Sequence, residues 1–236
     1  HALTATCRVA ASGGVSGTID LVYRGNPADR TRSILLNTSP ERRDTWLHRE
    51  LGLARADVTA PDYSGIRPGV PEVRVRCSLS TPEVARRVGD RIAVTLNAFD
   101  PLQLPLPATE RRRDPVELNY PFVETDTLRF ALPAGYLVDA APTPVSLKGA
   151  YGSYEATVTA TPEGLAYVRR LEISRHRIPA EDYAAFREFV LAVSRADRAT
   201  SPPAALSWRA ASVAIGALSH VAFDLVSHGN FLVLWP

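Results

Sequence analysis

Apolar and polar residues alternate one by one near the start of the chain, which is the pattern of β-strands with one buried face. The apolar members of the first such run are Leu3, Ala5, Cys7 and Val9. Residues 3–24 are therefore predicted to form two strands joined by the Gly13–Gly14 turn. Further strands are predicted over Ala56–Ile66, Pro71–Ser80 and Arg91–Ala98, with proline and glycine marking their ends.

Two helices are predicted between the second and third of these strands. Asn26 or the glycine before it can cap the first helix, in which Pro27 supplies a preset φ angle. Ser39 can cap the second helix, with Pro40 at its first helical position. Gly52 is predicted to end that helix, since glycine readily adopts the left-handed conformation that follows many helices.

The second half of the chain carries a clearer strand pattern. Residues 127–132 alternate and lead into a turn at Pro133–Gly135, where proline suits the first corner. Tyr154–Ala160 alternates in the same way, and residues 161–164 close a hairpin onto Leu165–Ile173. This alternation is typical of an antiparallel sheet with one solvated face.

One more helix is predicted over Pro179–Ala196. Its apolar side chains recur at helical spacing, at Tyr183, Phe186, Phe189, Val190 and Val193. A stripe of this kind is predicted to pack on the neighbouring sheet. The acidic residues at its start and Arg195 and Arg198 at its end suit the helix dipole.

The segment Phe99–Arg113 contains three prolines and ends in three consecutive arginines, a composition that favours extended chain. We place a linker there, between a β-rich domain with a helical insertion (residues 1–105) and a second domain (residues 114–200). The predicted fold class is mainly β (α+β), with two antiparallel sandwich-like sheets that each carry one or two packed helices. Proteolysis in the linker is expected to release two resistant pieces.

Residues 201–236 follow neither pattern and are treated as an atypical tail. The run Ala204–Val226 is apolar enough to suggest a membrane anchor, but Arg209, His220 and Asp224 fall within it. Because a charge near the middle of a bilayer is costly, a membrane span is not predicted. We expect this tail to be foreign to the rest of the chain and poorly ordered or marginally docked.

The totals of the 236-residue sequence are those of a soluble globular protein, with 45% hydrophobic and 22% charged residues. A net charge of +2 gives no reason to expect nucleic acid or an anionic membrane as partner. No methionine occurs, even at position 1, so we expect the sequence to be a segment of a longer protein.

The two cysteines, Cys7 and Cys77, each lie on the apolar face of a predicted strand. Two interpretations stay open, namely two buried thiols or a disulfide between strands if the protein is exported. A catalytic thiol is disfavoured, because neither cysteine precedes a helix that would stabilise its thiolate.

Other candidate chemistry is sparse. The five histidines show no metal-ligand spacing. Glu124 and Asp126 share one face of a strand, which we interpret as a solvated edge without the cleft that paired catalytic acids need. Gly13–Gly17 lacks the lysine and the helix of a phosphate-binding loop. The sequence therefore predicts no catalytic, cofactor-binding or metal-binding residue.

Four stretches of the second half resemble a known module. They are DPVELNYPFVETDTLRFALPAGY (Asp114–Tyr136), GSYEATVT (Gly152–Thr159), GLAYVRRLEI (Gly164–Ile173) and RIPAEDYAAFREFVLAVSRADRA (Arg177–Ala199). Together they resemble the C-terminal domain of unknown function behind the transglutaminase-like core of many bacterial exported proteins. Residues 3–112, with GTIDLVYRGNPADRTRSILL at Gly17–Leu36, more weakly resemble the β-rich segment that links core and module.

The resemblance implies a non-catalytic accessory region, in a periplasmic or extracellular protein, that positions or regulates an upstream core or contacts other macromolecules. The family's core carries a Cys, a His and an Asp, and no position here aligns with that motif. Two alternatives stay open. A stand-alone carbohydrate- or protein-binding module would show an exposed aromatic platform, and a cryptic hydrolase would show a nucleophile and a base within hydrogen-bond reach.

Two basic groups offer a surface for partners. They are Arg111–Arg113 and the set Arg169, Arg170, Arg175 and Arg177. Only one of Arg169 and Arg170 can join an exposed patch if they lie on opposite faces of a strand. One interpretation is a docking surface for the upstream core, another protein or an anionic surface glycan. The other is a solvated face whose charges keep a sheet edge from pairing with other chains.

Overall fold

The computed structural model describes residues 1–99, 102, 104, 111–162, 164–199 and 204–208, with side chains as far as residue 197. Six strands and two helices lie in residues 1–99. They are β1 (Ala2–Val9), β2 (Val15–Arg24), α1 (Asn26–Asn37), α2 (Pro40–Glu50), β3 (Asp57–Ser64), β4 (Glu72–Thr81), β5 (Ala85–Val88) and β6 (Arg91–Val94). The strands and helices predicted here are confirmed, except that β5 was not foreseen and β6 is shorter than expected.

The remaining elements follow the predicted linker. They are β7 (Val116–Glu117), β8 (Phe122–Ala131), β9 (Tyr136–Ala140), β10 (Val145–Gly149), β11 (Gly152–Thr161), β12 (Gly164–Ile173), β13 (Arg177–Ile178), α3 (Tyr183–Ala199) and β14 (Ala204–Trp208). A short 3-10 turn, Ala180–Asp182, leads into α3. The mainly β, α+β fold class is confirmed.

Local turn chemistry explains where several elements begin and end. Gly13 and Gly14 have φ angles of 89° and 87° and join β1 to β2 as predicted. Gly25, at φ 61°, precedes α1, and Ser39 precedes α2 in extended conformation. Gly52 follows α2 at φ 65°, in the left-handed region that favours glycine.

Eight strands form one continuous sheet, in the order β10-β11-β12-β8-β1-β2-β4-β3. Strand β1 pairs with β2 in antiparallel fashion and with β8 in parallel fashion, so that Ala5 lies between Ile19 and Leu128. The expected pair of separate sheets is therefore wrong, because β1 joins the two halves. Alternation shows which side of a strand is buried but not which strand lies next to it. The boundaries at residues 105, 114 and 200 stay predictions.

One face of this sheet is buried and the other is open. Leu3, Leu21, Val75, Leu128 and Tyr167 are buried neighbours on the inner face. All three helices and a second, four-stranded sheet (β5-β6-β14-β9) pack on that side. The result is a sandwich-like arrangement with one apolar core.

The opposite face, here called the open face, is polar. One row across six strands runs through Thr157, Val168, Thr127, Thr4, Asp20 and Arg76. Each of these side chains is exposed or half-buried. No described element covers this row, so a broad and threonine-rich surface faces solvent.

The tail contributes to the fold, contrary to expectation. Ala204–Trp208 forms strand β14, which pairs with β6 on one side and β9 on the other. A central strand satisfies the backbone hydrogen bonds of both neighbouring strands. A run of five residues is too short for alternation to predict such a strand. The other tail residues, 201–203 and 209–236, lie outside the described residues, as does most of the predicted linker.

We expect proteolysis at Arg111–Arg113, where Arg111 and Arg113 are exposed, to nick the chain without separating the pieces. Strand β1 holds the two halves together through paired backbone on both sides. Limited digestion with trypsin followed by size-exclusion chromatography checks this, with both fragments expected in one peak. Separate elution of two folded fragments would instead support the two-piece expectation drawn from the linker composition.

Candidate functional site

A group of buried ionisable side chains surrounds Arg169. Strand β12 is buried at every second residue, and Arg169 falls in that register between Tyr167 and Leu171. Its side chain is completely buried. Strand β8 places Asp126 directly beside it, and β11 places Ala156 on its other side. Arg169, Glu124, Asp126, Tyr154 and Asp197 are called the Arg169 cluster below.

The contacts of the Arg169 cluster join three strands and one helix. Arg169 Nη1 donates to Asp126 Oδ2 at 2.7 Å, and its Nε donates to Asp197 Oδ1 at 3.2 Å. Glu124 Oε2 lies 3.5 Å from both terminal nitrogens of the guanidinium. The Tyr154 hydroxyl donates to Asp197 Oδ1 at 2.7 Å. The backbone N–H of Leu102 donates to Asp197 Oδ2 at 3.0 Å, which ties the predicted linker to α3.

Burial is the main influence on the Tyr154 hydroxyl of the Arg169 cluster. It raises the pKa of the Tyr154 hydroxyl, and the neighbouring Tyr167 and Asp197 raise it further. The guanidinium carbon also lies 5.9 Å from the centre of the Tyr154 ring. Glu124 is the most accessible acid, at 18% exposure, against 1% for Asp126. The groups suit a fixed ionic link between sheet and helix better than contact with a substrate.

Two interpretations from the sequence are corrected here. Arg169 does not belong to a basic surface patch, and Glu124 and Asp126 do not lie on a solvated edge. Asp126 and Asp197 lie 43 and 28 residues from Arg169 along the chain, so no local sequence pattern predicts that they pair with it. One signal was present, because Arg169 occupies an apolar register of β12 and Asp126 shares the register of Leu128 and Phe130.

Four of the remaining arginines of the basic groups, Arg112, Arg170, Arg175 and Arg177, already have contacts. Arg170 forms an ion pair with Glu172 at 2.7 Å, and Arg177 lies 3.9 Å from Glu117. The guanidinium of Arg175 lies 5.9 Å from the ring centre of Tyr151. Arg112 lies 5.5 Å from the ring centre of Tyr183. These contacts partly neutralise the surface that the sequence suggested for an anionic partner.

Both cysteines are buried and free. Cys7 lies opposite Gly17, and Cys77 lies opposite Ile19 on the far side of β2, so a whole strand separates the two thiols. The disulfide interpretation is therefore wrong and the buried-thiol interpretation is confirmed. Burial raises the pKa of both thiols to about 11, which keeps them protonated at neutral pH.

We expect both thiols to stay unreactive toward a disulfide reagent at pH 8 while the chain is folded. A thiol with a pKa of about 11 holds only about a thousandth of its population as thiolate at that pH. Titration with 5,5′-dithiobis(2-nitrobenzoic acid) checks this, and both thiols should react at once in guanidinium chloride. Fast reaction of one thiol in the folded chain would contradict the burial described above.

Two cavities whose linings lie within the described residues open to the surface. One, of about 250 Å³, lies between the edge strand β10 and α3 and is lined by Leu147, Tyr151, Phe186, Glu188 and Phe189 among others. The other, of about 380 Å³, lies between the start of β1, the start of α1 and residues 120–125. The first lining also holds Lys148, and the second holds His1, Tyr120 and Thr125.

Three further properties concern the part of the chain that the structure describes. No group of three potential metal-binding side chains is found there. None of the described helices is long and apolar enough to cross a membrane. The large apolar side chains exposed there are Leu36, Val70, Val88, Val123 and Val168, so these residues supply no aromatic platform.

Comparison with known proteins adds one finding. No curated protein and no solved structure matches the chain. Residues 90–200 match the model of a family described as a domain of unknown function, DUF3858. The match extends from β6 to the end of α3 and includes the whole Arg169 cluster. Residues 90–200 of this chain therefore carry a DUF3858 domain.

Proposed function

We propose that the chain is a non-catalytic C-terminal accessory region of an exported transglutaminase-like protein. In this role it positions or regulates a core encoded upstream, or contacts other macromolecules, in the periplasm or outside the cell. The observation that carries the proposal is the DUF3858 match over residues 90–200. That segment includes the four stretches whose sequences resemble the module behind such a core.

The placement of the reactive groups supports an accessory role. Cys7 and Cys77 lie inside the apolar core with pKa values of about 11, which removes the chain's own thiols as nucleophiles near neutral pH. The charges of Arg169, Asp126 and Asp197 compensate one another through direct contacts between the sheet and helix α3. Ionisable groups arranged in this way stabilise one geometry of a scaffold.

The open face supports a role in macromolecular contacts. It spans the full width of an eight-stranded sheet, and its exposed threonines and paired charges offer many hydrogen-bonding groups. Val168 adds an exposed apolar side chain near its middle, at 41% exposure. Interfaces that are not permanent have this mixture of polar and apolar surface.

The first test of the proposal is activity. We expect the chain by itself to show no amidase, protease or transglutaminase turnover with generic glutamine- or peptide-donor substrates. Turnover that disappears in Cys7→Ala or Cys77→Ala, with folding unchanged by circular dichroism, would refute the proposal. Turnover that survives both substitutions would point to the hydrolase alternative with a different nucleophile.

The second test is binding to the upstream core, produced from the longer reading frame. Val168→Glu places a charge on the open face and should weaken binding by at least about ten-fold. Val88→Glu is the matched control, because Val88 is also an exposed valine on a strand but belongs to the four-stranded sheet. Equal binding of both variants and the unmodified chain would exclude the open face as the contact surface, and no binding at all would count against positioning of the core.

A further inference from the structure

The four-stranded sheet has an unusual origin for its third strand. Strands β6 and β9 lie within the segment that matches DUF3858, whereas β14 follows that segment. Strand β14 lies between them and pairs with both. The matched domain thus presents two strand edges that are filled by a strand from outside it.

The space between β6 and β9 has the width of one strand, which β14 fills. Strand β14 is antiparallel to β6, with Ala204 opposite Val94, and antiparallel to β9, with Trp208 opposite Tyr136. Strands β6 and β9 therefore run parallel to each other across the width of one strand. Neighbouring strands lie about 4.7–4.9 Å apart, so these two edges cannot pair without a shift of about one strand width. The space between them is called the β6–β9 slot below.

The β6–β9 slot carries the features of a site for an extended peptide. Each edge presents backbone N–H and C=O groups that lose their partners when the slot is empty. On the β6 side, Ile92 and Val94 are completely buried and fix the slot against the apolar core. Strand addition of this kind takes its affinity from main-chain hydrogen bonds and its selectivity from the side chains.

The peptide that fits the slot is the chain's own. Ala204–Trp208 has the sequence Ala-Ala-Leu-Ser-Trp, without charge, and four residues with two consecutive prolines separate it from α3. Every contact that this strand makes within one molecule is available between two molecules. Exchange of such an element is therefore a low-cost route to a dimer.

We propose that the β6–β9 slot is a strand-acceptor site that binds the Ala204–Trp208 strand of a second copy of this chain as well as its own. Exchange places each β14 in the slot of the partner copy and leaves both ladders complete. The proposal rests on the pairing of β14 and on the extent of the family match, and it does not depend on the proposed accessory role.

A labelled peptide with the sequence of residues 200–210 tests the slot directly on the full chain. The variant Leu206→Pro weakens the chain's own strand, since proline lacks the N–H of a ladder hydrogen bond. We expect this variant to bind the peptide at least about ten-fold more tightly than the unmodified chain, by fluorescence anisotropy. The matched control peptide carries the same Leu206→Pro change and should not bind.

Dimer formation tests exchange between copies. The unmodified chain, held in mild denaturant at high concentration and then returned to buffer, should yield a dimer by light scattering. Excess peptide and the Leu206→Pro change should each reduce that dimer. Equal dimer formation by the Leu206→Pro chain, or equal binding of the two peptides, overturns the proposal. If the Leu206→Pro chain does not fold, peptide uptake by the unmodified chain in mild denaturant decides, and failure to take up the peptide overturns the proposal.

Discussion

Replacement of Arg169 by leucine is expected to destabilise the folded chain by about 3–5 kcal/mol, because it leaves buried carboxylates without their counter-charge. Asp126 lies 2.7 Å from the guanidinium and Asp197 lies 3.2 Å from it, and both are almost completely buried. Removal of one partner from such a pair leaves the remaining charge uncompensated in a medium of low polarity, which destabilises the folded state. Equilibrium unfolding in urea, followed by circular dichroism, measures the loss.

The neighbouring arginine supplies a matched control. Arg170 lies on the opposite face of the same strand and pairs with Glu172, where the two side chains are 46% and 36% exposed. Arg170→Leu should therefore change the free energy of unfolding by less than about 1 kcal/mol, as expected for a surface ion pair. Equal and small effects of the two substitutions would show that the Arg169 cluster does not hold the sheet and α3 together.

A double-mutant cycle separates the ion pair from the general cost of altering the core. The double variant Arg169→Leu, Asp126→Leu lacks one charge of each sign. Its loss in the free energy of unfolding should be smaller than the sum of the losses of the two single variants. Additive losses would mean that Arg169 and Asp126 act independently. That result would contradict the direct contact between Nη1 and Oδ2.

Truncation of Phe186 to alanine is expected to cost about 3–5 kcal/mol, the usual range for a large side chain removed from a packed core. Phe186 is completely buried on α3, and its ring meets the Tyr151 ring edge-on at a centroid distance of 6.1 Å. A loss of this size is comparable to a large part of the stability of a typical domain. The midpoint and slope of urea unfolding, compared with the unmodified chain, provide the measurement.

Leu191 on the same helix is the control, because it is only half-buried. Leu191→Ala should cost clearly less than Phe186→Ala, and a reversed order would mean that α3 packs through a different face. A chain that ends at Ser201 is also informative, since it lacks β14. That loss leaves β6 paired only with β5 and removes the strand that pairs with β9 in this sheet. We expect that truncation to be substantially destabilising, in contrast to the marginal tail that composition suggested.

The residues that decide local structure are readable from the sequence. Alternation over residues 3–24 and across the hairpin of β11 and β12 predicted strands whose buried sides the structure confirms. Pro40 and Gly52 marked the ends of α2, and the apolar stripe of α3 predicted its packing. These features depend on steric and solvation preferences that act within one or a few turns of chain.

Other features depend on which distant segments meet, and only the tertiary structure decided them. Alternation in β1 was equally compatible with any neighbouring strand, yet its parallel pairing with β8 merges two expected sheets into one. The sequence alone placed Arg169 among surface charges, whereas in the fold Asp126 from β8 and Asp197 from α3 form ion pairs with it. The five residues of β14 show too little alternation to predict a strand. Backbone pairing with β6 and β9 is what makes them one. The sequence by itself thus determined the elements and their buried sides, because those follow from short-range preferences. Charge compensation and strand neighbours are long-range properties of the folded chain.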